Sequence, residues 1–251
     1  MSHASSTTGP TLASRAPFLL RKLHSLTGVV PLGVFLAEHL WTNASALGGQ
    51  RKFDDAVGAI QRIPFLPLVE WGGIFLPLVF HSAYGIYLST KAQSNVSHYT
   101  YARNWAYVLQ RVTGIVVFFF VAFHLWEYRI QKWLFGMGAE AFYPTLTTHL
   151  STIRYGLPGY AIVYLVGIAA ATYHFANGLV GFCASWGITT SRRAQKRATW
   201  LFGSAGVLLF VLGTQTVLYF ATGSRLYVGA GAKDAPPACE PEQGSSSGAP
   251  H

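Results

Sequence analysis

The sequence predicts an all-α integral membrane protein, a bundle of five transmembrane helices. Of the 251 residues 51% are hydrophobic and only 11% are charged, whereas a soluble domain has roughly 25% charged residues. Five long apolar runs lie between charged residues, and a helix needs about 20 apolar residues to cross about 30 Å of hydrocarbon. Aromatic residues form 15% of the chain, which is too many for a disordered polymer.

The five apolar runs place the predicted helices in order. The first contains Glu38 as its only charged residue and the second contains Glu70, while the third has Arg111 near its start and Glu127 at its end. The fourth and fifth runs contain no charged residue. The predicted helices cover residues 24–46, 68–90, 106–129, 158–185 and 199–222.

The two ends of the chain differ from this membrane domain, which is predicted at residues 21–225. Residues 1–20 lack the apolar core of a signal peptide and are predicted to form a disordered, uncleaved cytoplasmic tail. Residues 226–251 are rich in proline, glycine and serine and are predicted to form a disordered tail on the outer side.

Charge and cysteine content exclude several classes of function. The net charge of +9 would favour nucleic-acid binding in a soluble protein, but the apolar composition points to a membrane and not to nucleic acid. Two cysteines cannot build a disulfide framework or ligate an iron–sulfur cluster by themselves. The absence of a Cys-x-x-Cys-His motif excludes covalent haem attachment.

Basic residues also predict the orientation of the helices. With a cytoplasmic N-terminus, the inner segments hold ten basic residues and no acidic residue, including the cluster SRRAQKR between helices four and five. Because Lys and Arg are enriched in cytoplasmic loops, the prediction is a multi-pass membrane protein with its N-terminus in the cytoplasm.

Four histidines lie within the predicted helices, one on each of the first four. Any one of them alone would be explained by a hydrogen bond to a neighbouring helix, but four ionisable groups within a membrane favour a function. At a rise of 1.5 Å per residue, His39 and His124 share a level in the outer third, and His81 and His174 share a level in the inner third. Two pairs at two depths predict two stacked b haems with two axial imidazoles each, whereas zinc would gather its ligands at one depth.

An internal repeat supports the same pairs. Helix one reads LHSLTGVVPLGVFLAEHLW and helix three reads LQRVTGIVVFFFVAFHLW, so both carry a Thr-Gly step followed by His-Leu-Trp. Helices two and four carry HSAYG and HFANG, in which the glycine leaves space either for a flat macrocycle or for ordinary helix packing. Helices one and two are therefore predicted to be quasi-repeated as helices three and four around the two haems.

His24 lies at the inner edge of helix one. It is interpreted either as an interfacial residue or as a contact for a haem propionate, together with the nearby cations Arg21 and Arg111.

The segments RKLHSLTGVVPLGVFLAEHL, FLPLVFHSAYGIY, YARNWAYVLQRVTGIVVFFFVAFHLWE and YHFANGLVGFCASWGIT together resemble the di-haem cytochrome b membrane anchor of succinate dehydrogenase and fumarate reductase, in particular its five-helix, menaquinone-linked type. The resemblance implies that His39 and His124 hold the outer haem and His81 and His174 the inner one. It also implies a flavoprotein and an iron–sulfur subunit as cytoplasmic partners, with the succinate site on another subunit.

One position departs from that resemblance. Fumarate-reducing members carry a glutamate as a proton carrier two residues before the haem histidine of helix four, and this chain has Thr172 there. Succinate oxidation is therefore the favoured direction.

Quinone reduction requires protons as well as electrons. Glu38, Glu70 and Glu127 lie near the outer ends of their helices, where a carboxylate can serve as an intramembrane proton donor. The expectation is that menaquinone binds near the outer haem, although each carboxylate is also explained as a helix-end or interfacial residue. The alternative quinone site is near the inner haem, beside His24 and Arg21.

Two other functions fit parts of these patterns. One is the cytochrome b subunit of a hydrogenase or formate dehydrogenase, and the other is a membrane transporter that uses buried His and Glu. An absorption spectrum separates the transporter, because only bis-imidazole haem gives sharp visible bands on reduction.

Overall fold

The computed structural model of the chain describes residues 12–136 and 138–224. Within these residues the regular elements are helices, and β pairing is limited to one isolated bridge between Arg154 and Leu157. The predicted tail 226–251 and residues 1–11 of the predicted tail 1–20 lie outside the described residues.

The chain forms a series of helices joined by short turns. They are α1 (Leu12–Val29), α2 (Pro31–Ala44), α3 (Gln50–Gln61), α4 (Leu66–Val69), α5 (Leu76–Thr90), α6 (Ala102–His124), α7 (Gln131–Phe135), α8 (Phe142–Ser151), α9 (Gly159–Ser185) and α10 (Arg192–Thr222). Four short turns continue or connect them, two of 3₁₀ type at Ser45–Gly48 and Ala139–Ala141, and two of π type at Glu70–Phe75 and Leu125–Ile130.

Five stretches are long and apolar enough to cross a membrane, which confirms the predicted five-helix fold. We number them in chain order as spans 1 to 5. They are Ala16–Gly48, Leu66–Thr90, Ala102–Phe135, Gly159–Ser185 and Arg192–Thr222.

The first span begins earlier than its predicted helix. Helix α1 starts at Leu12, so residues 12–20, which the sequence places in the N-terminal tail, are helical. The physical reason is that the basic pair Arg21–Lys22 marks the edge of the apolar run without ending the helix, since Arg and Lys are good helix formers. A limit drawn at charged residues therefore underestimates the length of this helix.

Close packing of small residues joins span 4 to its neighbours. A Cβ added to Gly206 of span 5 would lie 2.7 Å from the Cβ of Ala176, and one added to Gly167 of span 4 would lie 2.3 Å from the ring of Phe120 in span 3. Without a hydrophobic driving force between helices in lipid, such close backbone approach supplies the packing energy. Span 4 is therefore fixed between spans 3 and 5.

The two ends of the bundle are built differently. At one end, which we call the cap end, α3 and α8 cover the bundle with a buried aromatic cluster that includes Phe53, Tyr143 and Phe220, whose ring centroids lie 5.2–5.9 Å apart. At the other end, which we call the loop end, the connections are the segments 91–101 and 186–191.

Candidate functional site

A single large cavity of about 1320 Å³ contains all four predicted ligand histidines. Its lining is mostly apolar, as expected for a cofactor site inside a bundle. Arg21, Arg103 and Arg111 line it toward the loop end, and Glu70 and Arg129 line it toward the cap end. The cavity thus extends along the spans past both predicted haem levels.

The structure brings together the two predicted histidine pairs. The ring centroids of His39 and His124 are 5.6 Å apart with the ring planes at 78°, and those of His81 and His174 are 6.3 Å apart with the planes at 86°. Each pair joins one span to another across the cavity. The roles of these residues as iron ligands remain predictions.

Hydrogen bonds fix the ring nitrogens of three of these histidines. Nδ1 of His81 lies 3.0 Å from the carbonyl oxygen of His24, and Nδ1 of His174 lies 3.0 Å from the carbonyl oxygen of Gln110. Nδ1 of His124 lies 3.1 Å from the Tyr164 hydroxyl. Because a carbonyl oxygen only accepts, Nδ1 carries the proton in His81 and His174. Nε2 is then the atom with a free lone pair, as a metal-ligating histidine requires.

His39 has a different environment. The Asn43 amide donates to the main-chain oxygen of His39 at 2.8 Å, and its nitrogen lies 3.4 Å from His39 Nε2. The ring of Phe35 lies one turn away with its centroid at 5.3 Å.

His24 lies inside the cavity and contacts a predicted ligand. Its ring stacks on His81, with centroids 4.1 Å apart and an angle of 14° between the planes. The sequence predicts only that His24 lies at the inner edge. The spacing between His24 and His39 gives the depth of His24 but not the direction of its side chain. The role of His24 as a propionate contact stays a prediction.

The cations at the loop end fit a carboxylate-bearing group. The Arg111 guanidinium stacks 3.3 Å from the Tyr107 ring centroid and donates to the Tyr107 carbonyl at 2.7 Å. Its Nε atom is buried without a hydrogen-bond partner among the described residues. Arg21 also lines this end and is exposed. Such donors have a clear use if a propionate enters the cavity.

The three candidate carboxylates have separate partners. Glu70 lines the cavity and forms an ion pair with Arg129 at 2.5 Å. Glu127 is not among the cavity-lining residues and pairs with His149 at 2.9 Å. Glu38 is exposed, and its carboxylate accepts a hydrogen bond from the Thr42 hydroxyl. Of the three, only Glu70 can reach a molecule in the cavity from its present position.

Sequence reasoning missed three residues of this site. Arg129 carries no signal in the sequence, because its position depends on the π-helical turn Leu125–Ile130, which changes the direction of the side chains. Tyr164 is one of several tyrosines in its helix and likewise carries no signal. Gln110 has one, since the internal repeat aligns it with His24.

Comparison with known proteins identifies the family. A sequence model of the family described as the succinate dehydrogenase/fumarate reductase transmembrane subunit matches residues 89–214. The succinate dehydrogenase cytochrome b558 subunit of Bacillus subtilis (strain 168) is 38% identical over 209 residues, which are 83% of this chain and 100% of that protein. The chain belongs to this family.

As a membrane cytochrome b subunit of succinate dehydrogenase or fumarate reductase, the chain binds haem b, associates with the other subunits of that complex and crosses a membrane several times. The predicted family and the predicted role as its membrane cytochrome b subunit are confirmed, and neither the hydrogenase or formate dehydrogenase alternative nor the transporter is favoured. The cavity residues fit haem b, because paired imidazoles bind its iron and a guanidinium such as that of Arg111, whose Nε has no hydrogen-bond partner among the described residues, binds its propionates.

Proposed function

We propose that this cytochrome b subunit passes electrons from the iron–sulfur subunit through two b haems to menaquinone. Two b haems, when bound, supply one-electron carriers along the width of the membrane. The observation that carries the proposal is the arrangement of His39/His124 and His81/His174 as two separate imidazole pairs in one cavity. One haem would require one pair only.

The chain's own residues hold and orient the two haems in this proposal. His81, His124 and His174 offer Nε2 to iron, and His39 supplies the fourth imidazole. The Nδ1 hydrogen bonds of His81 and His174 prevent rotation of their rings. Arg111, Arg21 and His24 bind propionates at the loop end. Arg111 Nε and His24 Nδ1 support this role, because neither has a hydrogen-bond partner in the part of the chain that the structure describes and a propionate would satisfy both.

The proposed orientation places the loop end and the N-terminus in the cytoplasm of a bacterial cell, with the protein in the inner membrane. Four basic residues lie between positions 192 and 197 at the start of span 5. Arg103 of span 3 donates a hydrogen bond to the Gln195 side chain beside them at 2.9 Å. A basic surface of this kind favours the cytoplasmic side. The iron–sulfur subunit and its flavoprotein partner dock at this end.

The proposed quinone site lies at the cap end of the cavity. The Glu70 carboxylate takes up protons from the outer side and passes them to the reduced quinone there, because it lines the cavity and Arg129 holds it in place. The Arg129 guanidinium is itself fixed by the Trp133 ring at 5.1 Å. Glu127 and Glu38 remain candidates only if they change partners, since their present contacts lie off the cavity.

Succinate oxidation is the proposed direction. Thr172 is 2% exposed, and its hydroxyl donates to the Ile168 carbonyl at 2.8 Å. This position therefore offers no carboxylate that could carry a proton along span 4.

The test is the haem content of the complex purified with its partner subunits. We expect two haems per chain in the unaltered complex and the loss of one in each of the variants His39→Ala and His81→Ala, because each removes one ligand pair. His98→Ala is the matched control, since His98 is exposed in the loop 91–101 and its loss leaves both haems. Two low-spin haems in either test variant would disprove the assignment of that pair.

Succinate-driven reduction of the haems in the same preparations tests the function itself. Electrons from succinate should reduce both haems of the unaltered complex and then a menaquinone analogue. A complex whose haems stay oxidised with succinate, but which still reduces the quinone at the normal rate, would show that the haems are not on the path.

A further inference from the structure

The Thr-Gly step that the sequence repeats on spans 1 and 3 has no role in the proposed ligand set. In the structure both steps contact a predicted ligand of the same haem. A Cβ added to Gly28 would lie 2.4 Å from Cε1 of His81, and a Cβ added to Gly114 would lie 2.9 Å from Cε1 of His174. Each imidazole therefore occupies the space that a side chain would fill at that glycine.

A carbonyl on the preceding turn completes each contact. The oxygen of His24 lies 3.0 Å from His81 Nδ1 and also accepts from the Thr27 hydroxyl at 3.0 Å. On span 3 the oxygen of Gln110 lies 3.0 Å from His174 Nδ1, while the Thr113 hydroxyl donates to the Leu109 carbonyl at 2.6 Å and lies 3.4 Å from the oxygen of Gln110. Threonine bonding back to the preceding turn bends a helix slightly, which opens the carbonyl to a donor from outside.

The side chains at these carbonyl positions cover the same rings. His24 stacks on His81 at 4.1 Å, and the Gln110 amide nitrogen lies 3.3 Å from His174 Nδ1. The side chains of His24 and Gln110 also meet the glycine one turn beyond each histidine, since a Cβ on Gly85 would lie 3.1 Å from His24 and one on Gly178 would lie 3.4 Å from Gln110. These two glycines thus border the side chains that cover the rings.

Ordinary helix packing does not account for these contacts. Packing alone can also set a ring against a glycine, as Phe120 lies against Gly167. At Gly28 and Gly114 the ring is an imidazole whose Nδ1 also meets a main-chain carbonyl one turn before that glycine. This combination of glycine, ring and carbonyl occurs twice, on two different pairs of spans.

We propose that the steps Thr27–Gly28 and Thr113–Gly114, each with the carbonyl of the preceding turn, are imidazole seats that set the ring orientation and the protonated nitrogen of His81 and His174. The proposal rests on the proposed ligation of haem by these two histidines. Glycine admits the ring, the carbonyl takes the Nδ1 proton, and Nε2 is left to face the iron. A bonded Nδ1 also raises the basicity of the ligand nitrogen.

The test uses Gly28→Ala and Gly114→Ala in the complete, haem-loaded complex. The added methyl group must push the ring aside, so we expect the low-spin EPR signal of the His81/His174 haem to shift and its affinity to fall by about tenfold. The signal of the other haem stays unchanged. Gly203→Ala is the control, because no heavy atom lies within 4 Å of its added Cβ, and it changes neither signal.

Threonine variants keep the test decisive if an added methyl group prevents assembly. Thr27→Ala adds no volume and removes the hydroxyl that donates to the seat carbonyl of His24 at 3.0 Å. We expect a smaller shift of the same EPR signal in Thr27→Ala and no shift in Thr27→Ser, which keeps the hydroxyl. If both EPR signals are unchanged in all variants that assemble, the proposal of imidazole seats is wrong. Retention of both haems in His81→Ala would instead overturn the ligand assignment, so the two failures are distinguishable.

Discussion

The two ends of the cavity hold their histidines by different means. At the loop end the main chain does so, since the carbonyl oxygens of His24 and Gln110 each lie 3.0 Å from a ring nitrogen. At the cap end side chains do so, since the Tyr164 hydroxyl lies 3.1 Å from His124 Nδ1 and Asn43 lies beside His39. A carbonyl cannot be replaced by substitution, whereas a hydroxyl can. Single substitutions can therefore change the ligand hydrogen bonds at the cap end more simply than at the loop end.

The two ends also differ in charge. Arg21, Arg103 and Arg111 line the cavity toward the loop end, whereas the cap end contains the acidic Glu70 in an ion pair with Arg129. Cations at the loop end suit propionates and an acidic partner surface. A carboxylate at the cap end suits proton delivery to a quinone. The following predictions test this division of roles, in order of decreasing effect.

The largest effect is expected from Glu70→Gln. We expect quinone reduction to slow by at least about tenfold, because the variant removes the only one of the three candidate proton donors that lines the cavity. Arg129 keeps its contact with Trp133 at 5.1 Å, so the site should keep its shape. The measurement is the steady-state rate of succinate-driven reduction of a menaquinone analogue.

Succinate-driven haem reduction should be intact in this variant, which separates proton delivery from electron delivery. Glu38→Gln is the matched control, since Glu38 is exposed and bonded only within its own helix. Normal turnover in Glu70→Gln would break the assignment of the quinone to the cap end, and would favour the loop end beside His24 and Arg21.

An intermediate effect is expected from Tyr164→Phe. Loss of the hydroxyl removes the partner of His124 Nδ1 and makes the ligand less basic, so the midpoint potential of the His39/His124 haem should rise. A hydrogen bond of about 1 kcal/mol corresponds to about 40 mV for one electron. Potentiometric titration of the two haems measures this shift.

Tyr160→Phe serves as the control for that titration. Tyr160 lies in the same helix and stacks on His149 at 5.2 Å, and it is not among the cavity-lining residues. If the midpoint potentials of both haems shift equally in Tyr164→Phe, the hydrogen bonds at the two ends do not set the two potentials independently, and the comparison between the ends fails.

The smallest effect is expected from Glu127→Gln. The side chains of His149 and Glu127 are 32% and 13% exposed, and a partly exposed polar contact between two side chains contributes under about 1 kcal/mol. We expect a slightly lower Tm of the complex and quinone reduction close to normal. A loss of turnover as large as that of Glu70→Gln would place proton delivery at Glu127 instead.

The sequence by itself determined the number of spans and the depth of the histidines. Five apolar runs of sufficient length require five helices, because backbone groups in lipid must be bonded within the segment. Depth follows from the rise of 1.5 Å per residue, and for this reason the structure places His39 beside His124 and His81 beside His174. The start of α1 at Leu12 was not predicted, because charge alone does not end a helix.

Only the tertiary structure decided which side chains face the cavity. The stacking of His24 on His81, the pairing of Glu70 with Arg129 and the contact of Gly28 with an imidazole depend on the rotation of each helix about its axis. That rotation is set by packing against neighbouring spans and by the π-helical turns at Glu70–Phe75 and Leu125–Ile130. Spacing along one helix gives the depth of a residue in the membrane. The residue that it contacts depends on how the helix on the other side of the cavity packs against it.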